Sequence, residues 1–177
     1  MMENFFELFG LPVAFDIDSG RLTEQYRELQ KQVHPDRFVN EDEQLRLKSV
    51  QDTALLNEAF QTLKDPAARA SYMLKLAGID IDAEKDTSMD AAFLMEQMEF
   101  REAVAQVDSM PDPLGTVDEM AATLKKKLDA LYQTFDQQYA ANDLAGARDS
   151  VRKLQFLMKA RQELEQTAER LEDDTLH

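Results

Sequence analysis

The stretch "LQKQVHPDRF", Leu29 to Phe38, contains the only histidine of the chain apart from its last residue. An apolar stripe with the four-, three- and four-residue spacing of an α-helix leads up to it, and is made of Leu22, Tyr26, Leu29 and Val33. Pro35 ends this helix because it has no N–H group, and it disfavours helical torsions at His34. His34 therefore lies at a turn, which either only stops a helix or forms a working surface.

A second helical pattern follows the turn, from Glu41 to Lys64. The residues expected to face inward are Val50, Thr53, Leu56, Ala59, Phe60 and Leu63. A short helix is predicted over Ala67–Leu76, and an apolar entry segment precedes the first helix, with Phe5, Phe6, Leu8, Phe9 and Leu11. Two helices of similar length joined by a loop lie antiparallel, so the sequence His-Pro-Asp is predicted at the tip of a helical hairpin.

The composition narrows the class of protein. The chain has 177 residues, 44% of them hydrophobic, with only five glycines and five prolines, which favours helices over a β fold with many turns. A net charge of −15 argues against a nucleic-acid partner, because neutralising phosphates requires clustered Lys and Arg. No apolar run or basic leader predicts a membrane span or a signal peptide, and no cysteine is present. We expect a soluble cytoplasmic protein with no metal site and no cofactor.

The second half of the chain is also predicted to be helical. A polar segment over residues 77–88 indicates a linker. Three helical patterns follow, roughly Met89–Asp108, Val117–Tyr139 and Asp143–Leu171, with Pro111, Pro113 and Gly115 marking the first break. The predicted fold is therefore all-α, with an N-terminal domain over residues 1–76 and a C-terminal three-helix bundle over residues 89–177.

The first helix of this second half carries apolar residues on two faces. Its predicted core stripe consists of Phe93, Phe100, Ala103, Val104 and Val107. At about 100° per residue, a second set falls on nearly the opposite face, namely Leu94, Met95 and Met98, beside Glu99 and Glu102. Phe156 points away from the stripe of the last helix in the same manner. These side chains either cover another element of the fold or form an exposed docking patch, for which flexible methionines are suited.

The N-terminal half resembles a J-domain from about Asn4 to Leu76. The features that carry the resemblance occur in the same order: the opening "NFFELFGLP", a helix with basic residues, His-Pro-Asp, and a long helix with "LNEAFQTLKDP". J-domain proteins stimulate ATP hydrolysis by chaperones of the seventy-kilodalton heat-shock class. The resemblance implies chaperone-binding residues at His34, Pro35, Asp36, Arg27, Lys31 and Arg37.

These residue types suit a docking site. Pro35 stiffens the tip, so that less entropy is lost on binding, and Asp36 can accept a charge-assisted hydrogen bond from an arginine. Glu24 and Glu28 share the surface of the basic helix, which predicts a narrow range of partners or weak binding.

Over essentially the whole chain, the sequence resembles the HscB family of bacterial co-chaperones for iron–sulfur cluster assembly, through "AAFLMEQMEFRE" and "VRKLQFL". In that family the C-terminal bundle binds the cluster scaffold IscU, and the J-domain presents it to the chaperone HscA. The resemblance implies scaffold-binding residues at Leu94, Met95, Met98, Glu99, Glu102 and Phe156. Because the chain has no thiol, any cluster ligand is expected to come from the partner.

Three other functions stay open. An enzyme is possible in principle, because a His–Asp pair can perform acid–base chemistry, but the chain has no second internal histidine and no phosphate-binding glycine loop. A co-chaperone for misfolded clients in general commonly has zinc-binding cysteines or a Gly/Phe-rich linker, and both are missing here. A helical adaptor without a chaperone partner would make His-Pro-Asp a coincidence.

Overall fold

A computed structural model describes residues 4–81 and 89–177 of the chain. The described residues form seven α-helices and two short 3₁₀ turns, and they contain no β-strand, as the all-α prediction requires. The chain divides into two compact units, Met1–Ile79 and Asp80–His177. Most of the predicted linker, residues 82–88, lies outside the described residues.

The N-terminal unit contains four helices, α1 (Phe5–Leu8), α2 (Ser19–Val33), α3 (Glu43–Lys64) and α4 (Pro66–Leu76). Each begins after a polar residue whose side chain accepts a backbone N–H of the first turn, and these caps are Asn4, Asp18, Asp42 and Asp65. Such caps satisfy donors that have no partner within the helix. The sequence therefore encodes the starts of all four helices locally.

The core of this unit is built from aromatic and aliphatic side chains of all four helices. The most deeply buried are Phe6, Phe9, Leu22, Leu63, Met73 and Leu74. Tyr72 of α4 stacks on Phe5 at 4.6 Å between ring centroids and accepts a hydrogen bond from the Phe5 backbone nitrogen, which attaches α1 to α4. Full burial of one such side chain contributes roughly 1.5–3 kcal/mol.

The prediction that Val50 of α3 faces inward was wrong. Val50 is exposed, whereas Ser49 is buried. At 100° per residue, Val50 lies about 120° around the helix from the buried Leu56, and Ser49 lies close to the core direction. The other five predicted residues are buried or half-buried.

The C-terminal unit contains α5 (Ala91–Ala105), α6 (Pro113–Ala140) and α7 (Leu144–Leu176). A 3₁₀ turn, Val107–Ser109, follows α5. The predicted break between the first two helices of this unit is present and contains Pro111, but Pro113 and Gly115 lie beyond it, in the first turn of α6. Proline fits the first helical position because the N–H it lacks would have no partner there, and Asp112 caps the turn by accepting the Gly115 N–H.

Helices α6 and α7 provide most of the core of this unit. Its buried apolar residues include Val117, Leu124, Leu128, Phe135, Val151, Leu154 and Leu164. Helix α5 packs less deeply: Phe93, Phe100 and Val104 are half-buried, and Ala103, predicted in the core, is exposed. Gln97 is buried instead. A shallow helix of this kind leaves much of its surface available for other contacts.

Candidate functional sites

The His-Pro-Asp sequence lies where α2 ends. His34 has φ −56° and ψ 131°, which are not helical torsions, and Pro35 then opens a 3₁₀ turn, Pro35–Phe38. The side chain of His34 caps this turn, because its Nδ1 accepts the backbone N–H of Asp36 at 3.1 Å. The His34 side chain is 48% exposed and that of Asp36 is 88% exposed. The turn therefore presents a carboxylate and about half of the imidazole side chain to solvent.

Two side chains hold the end of α2 in place. The last carbonyl groups of a helix have no partner within the helix. The guanidinium of Arg37 donates to the Lys31 carbonyl at 3.3 Å. The hydroxyl of Thr53 on α3 lies 3.3 Å from the Val33 carbonyl and 2.8 Å from the Ser49 carbonyl, so its single proton is shared and favours the shorter contact. The sequence predicted Thr53 to face inward but gave no sign of this second role.

The orientation of α2 is set by an aromatic contact further along the hairpin. Tyr26 stacks on Phe60 of α3 at 4.0 Å between centroids, and its hydroxyl donates to the Asn57 side chain at 2.6 Å. With this side of α2 fixed against α3, the exposed Arg27 and Lys31 lie on its outer surface.

A groove of about 1130 Å³ runs along the outer surface of α2 to the turn. Five of the six predicted chaperone-binding residues line it: Arg27, Lys31, His34, Asp36 and Arg37. Pro35 does not line the groove. Glu24 and Glu28 also line it, and Lys31 forms an ion pair with Glu28 at 3.4 Å. The groove is therefore lined by three cationic and three anionic side chains, and among the described residues none forms an ion pair with Arg27.

The predicted second face of α5 is exposed. Leu94, Met95, Met98 and Phe156 have 38%, 62%, 70% and 39% of their surface accessible to solvent. We refer to these four side chains as the apolar patch. Met95 and Met98 line a shallow groove of about 500 Å³ together with Glu99 and Glu102. Leu94 and Phe156 do not line this groove. The groove therefore brings together four of the six predicted scaffold-binding residues.

Phe156 is joined to α5 through Phe93. The two rings meet edge to face at 6.1 Å between centroids, and the ammonium group of Lys153 lies 5.6 Å from the centre of the Phe93 ring. Phe93 and Lys153 were not among the predicted site residues. Phe93 had been assigned to the core stripe, and the sequence did not indicate that its ring supports Phe156.

Two ion pairs attach α5 to its neighbours. Lys127 of α6 lies 3.7 Å from Glu96, and Arg101 lies 3.5 Å from Glu163 of α7. Exposed pairs of this kind contribute little stability.

The described residues contain no cluster of three or more His, Cys, Asp or Glu side chains that is arranged to hold a metal ion. Within the same ranges, no helix has the length and apolar character needed to cross a bilayer.

The hairpin with His-Pro-Asp at its tip is the arrangement of a J-domain, and the DnaJ domain family matches residues 4–72. Residues 89–165 match a second family, described as the HSCB C-terminal oligomerisation domain. The chain is 46% identical to the co-chaperone protein HscB homolog of Shewanella baltica (strain OS195), over 96% of this chain and 99% of that protein. It is 47% identical, with the same coverage, to the homolog of Shewanella sp. (strain ANA-3). The chain is therefore a J-domain protein, and it belongs to the HscB family of co-chaperones.

Solved structures agree with this assignment. The chaperone HscB from Vibrio cholerae has a TM-score of 0.86 and 39% identity, covering 95% of this chain and 99% of that one. The human co-chaperone protein HscB has a TM-score of 0.83 and 27% identity, covering 93% of this chain and 81% of that one.

Proposed function

We propose that this protein serves iron–sulfur cluster assembly as a co-chaperone with two binding surfaces. The J-domain, residues 1–76, stimulates ATP hydrolysis by an HscA-type chaperone, and the bundle, residues 89–177, binds an IscU-type scaffold. The observation that carries the proposal is the occurrence in one chain of a braced His-Pro-Asp tip and a separate exposed apolar patch.

The chemistry of the tip fits a chaperone contact. Asp36 presents an almost fully exposed carboxylate, which can accept a bidentate hydrogen bond from an arginine of the chaperone. Arg27, Lys31 and Arg37 attract an acidic partner surface, while Pro35 and the bonds of Arg37 and Thr53 limit the ordering cost of docking.

The apolar patch fits a protein partner that must later be released. Full burial of four such side chains contributes roughly 6–12 kcal/mol, but part of their surface is already covered in the free protein. The loss of translational and side-chain entropy on binding offsets much of the remaining free energy. We therefore expect reversible binding with a dissociation constant in the micromolar range. Glu99 and Glu102 border the patch and favour a scaffold surface with basic residues opposite them.

A catalytic role of its own is not part of the proposal. The only internal imidazole lies half-exposed at a helix turn, where water is not excluded from a reacting group. The protein acts on the chaperone instead, in the cytoplasm, by coupling scaffold capture at one surface to ATP hydrolysis triggered at the other. Such coupling requires two sites and two states of the chaperone, and the sites are those described above.

The test is the steady-state ATPase rate of an HscA-type chaperone with limiting IscU-type scaffold. Addition of the wild-type protein is expected to raise the rate strongly, and the Asp36→Asn variant is expected to raise it little, because the neutral amide loses the charge-assisted bond. Equal rates with both proteins would favour the adaptor function instead. Hydrolysis of ATP by the protein without any chaperone, lost in His34→Gln, would favour an enzyme.

A further inference from the structure

The two methionines of the apolar patch are the most exposed methionines in the described part of the chain. Met95 and Met98 are 62% and 70% exposed, whereas Met110 is 39% exposed. Met158 is half-buried, and its sulfur accepts the Tyr132 hydroxyl at 3.8 Å. Among the described residues, no hydrogen bond engages the sulfur of Met95 or Met98. Both thioethers are therefore open to a dissolved oxidant.

We propose that Met95 and Met98 form an oxidation-sensitive site, at which conversion to methionine sulfoxide lowers the affinity for the scaffold. The oxidant is hydrogen peroxide, a neutral molecule that the carboxylates of Glu99 and Glu102 in the same groove do not repel. The proposal rests on the proposed scaffold binding and adds its regulation.

The reaction transfers one oxygen atom to sulfur. A lone pair of the thioether attacks one peroxide oxygen, an S–O bond forms and the O–O bond breaks. The leaving hydroxide takes the proton of the new S–OH group and becomes water. Sulfur loses two electrons and peroxide gains them, so no further reactant is needed.

Oxidation adds polarity where binding requires an apolar surface. A thioether is apolar, whereas a sulfoxide carries a strong dipole and a hydrated oxygen. Burying that oxygen against a partner costs free energy unless a donor meets it. Of the described side chains that line the groove, only Arg101 carries donors, and it already pairs with Glu163 at 3.5 Å. We therefore expect the sulfoxides to weaken scaffold binding by about tenfold or more.

The two binding surfaces should respond differently to peroxide. Within the N-terminal unit, the one methionine among the described residues is Met73, which is 1% exposed. The chain has no cysteine, so peroxide has no thiol to attack first. A reaction controlled by exposure therefore modifies the patch and spares the core of the J-domain. Oxidation would then separate scaffold capture from chaperone stimulation.

The first test locates the modification and needs no partner. The full chain is treated with hydrogen peroxide, the excess is removed with catalase, and the sulfoxide content of each peptide is followed over time by mass spectrometry. Met95 and Met98 should oxidise faster than Met110, and Met73 should oxidise last. Oxidation of Met110 or Met73 at an equal or higher rate would overturn the proposal.

The second test compares scaffold affinity before and after this treatment. Calorimetry with an IscU-type scaffold, which is itself never exposed to peroxide, should show binding weakened by about tenfold or more. In the variant Met95→Leu with Met98→Leu, the affinities before and after treatment should be equal, because leucine has no sulfur. Each protein is compared with its own untreated form, so any effect of leucine on binding cancels.

Met110→Leu is the matched control. It removes an exposed methionine outside the patch and should lose affinity on oxidation as the wild-type protein does. An unchanged affinity of the oxidised wild-type protein, or an equal loss in the double leucine variant, would contradict the proposal.

Reversal and the ATPase assay complete the test. The two methionine sulfoxide reductases, one for each epimer, should restore the affinity, and a loss that persists after the sulfoxides are reduced would reject the site. Stimulation of the HscA-type chaperone without scaffold should be the same before and after oxidation, and an equal loss there would indicate general damage instead. If the untreated protein does not bind the scaffold, the proposed function fails and its regulation with it, whereas the peptide analysis still decides whether Met95 and Met98 oxidise first.

Discussion

The tip of the J-domain and the apolar patch of the C-terminal unit are exposed for different reasons. The tip is polar, and short-range hydrogen bonds to backbone groups hold it in shape. The patch is apolar and is held by helix packing and by one pair of aromatic rings. Water solvates an exposed carboxylate well but gains nothing from an exposed methionine, so only the patch stays exposed at a cost in free energy.

This difference predicts how each surface can be disabled. At the tip, the direction of a few polar atoms matters, so an isosteric change of Asp36 itself should have a large effect on function, and isosteric changes of the groups around it should have smaller effects. At the patch, buried area matters, so truncation should act in proportion to the surface removed. Four variants test this distinction, beginning with the largest expected effect.

Combined truncation of the patch, with Leu94→Ala, Met98→Ala and Phe156→Ala, should weaken scaffold binding by about a hundredfold or more, because it removes most of the surface to be buried. Titration calorimetry with the IscU-type scaffold measures this loss. The free energy of unfolding should also fall, because Leu94 and Phe156 are only 38% and 39% exposed and Phe156 packs on Phe93, so binding is measured under conditions where the variant is still folded. Met110→Ala with Leu176→Ala truncates other exposed apolar residues of the same unit and is the matched control. Full binding by the triple variant would show that the scaffold binds elsewhere.

Phe93→Leu tests whether the ring beneath Phe156 supports the patch. Loss of an edge-to-face pair worth about 0.5–1.5 kcal/mol should weaken scaffold binding by roughly three- to tenfold, as measured by the same calorimetry. Phe100→Leu is the control, because Phe100 is also half-buried on α5 but packs against the core of the bundle. Equal losses of affinity in the two variants would mean that Phe93 acts only through general packing.

Thr53→Val removes the hydroxyl shared between the carbonyls of Val33 and Ser49. We expect the free energy of unfolding to fall by about 0.5–1 kcal/mol. Half-maximal stimulation of the chaperone should then require a concentration of this protein a few times higher. Thr134→Val is the control, since its hydroxyl donates only within α6, to the Ala130 carbonyl. If urea denaturation and ATPase assays give the same result for both variants, Thr53 does not brace the tip.

Glu28→Gln should have the smallest effect of the four variants, and it should strengthen binding where the other three weaken it. It releases Lys31 from its ion pair and should strengthen chaperone binding about twofold at low salt, with less effect at high salt. Glu24→Gln removes the same charge from α2 without an ion pair to Lys31. The difference between the two variants in half-maximal stimulation isolates the release of Lys31, and no difference would show that the pair does not limit binding.

Much of the fold followed from local sequence signals. The helix containing Leu22 and Val33, the stop at Pro35 and the off-stripe position of Met98 and Phe156 all come from spacing and from proline chemistry, which depend on neighbouring residues alone. The prediction that the four apolar residues of the patch lie off the core is confirmed by their exposure. Their binding role stays a prediction.

The wrong burial predictions concern side chains whose burial depends on how closely a second helix packs against them. Ala103 was placed in the core from its angle on the helix, but α5 packs too shallowly to cover it, and Gln97 is buried instead. Helical spacing gives the direction of a side chain but not the depth of the surface that meets it. Pro113 was assigned to the break before α6, but it is the first residue of that helix, a position where proline is favourable.

The sequence by itself determined that this protein is helical, that His34 lies at a turn between two helices, and that certain apolar residues have no place in a single stripe. These properties depend on contacts between residues a few positions apart. Only the tertiary structure decided that Nδ1 of His34 accepts the Asp36 N–H, that Thr53 reaches the end of α2, and that Phe93 supports Phe156. Such contacts depend on rotamers and on distances between helices, and no periodicity along one chain segment contains that information.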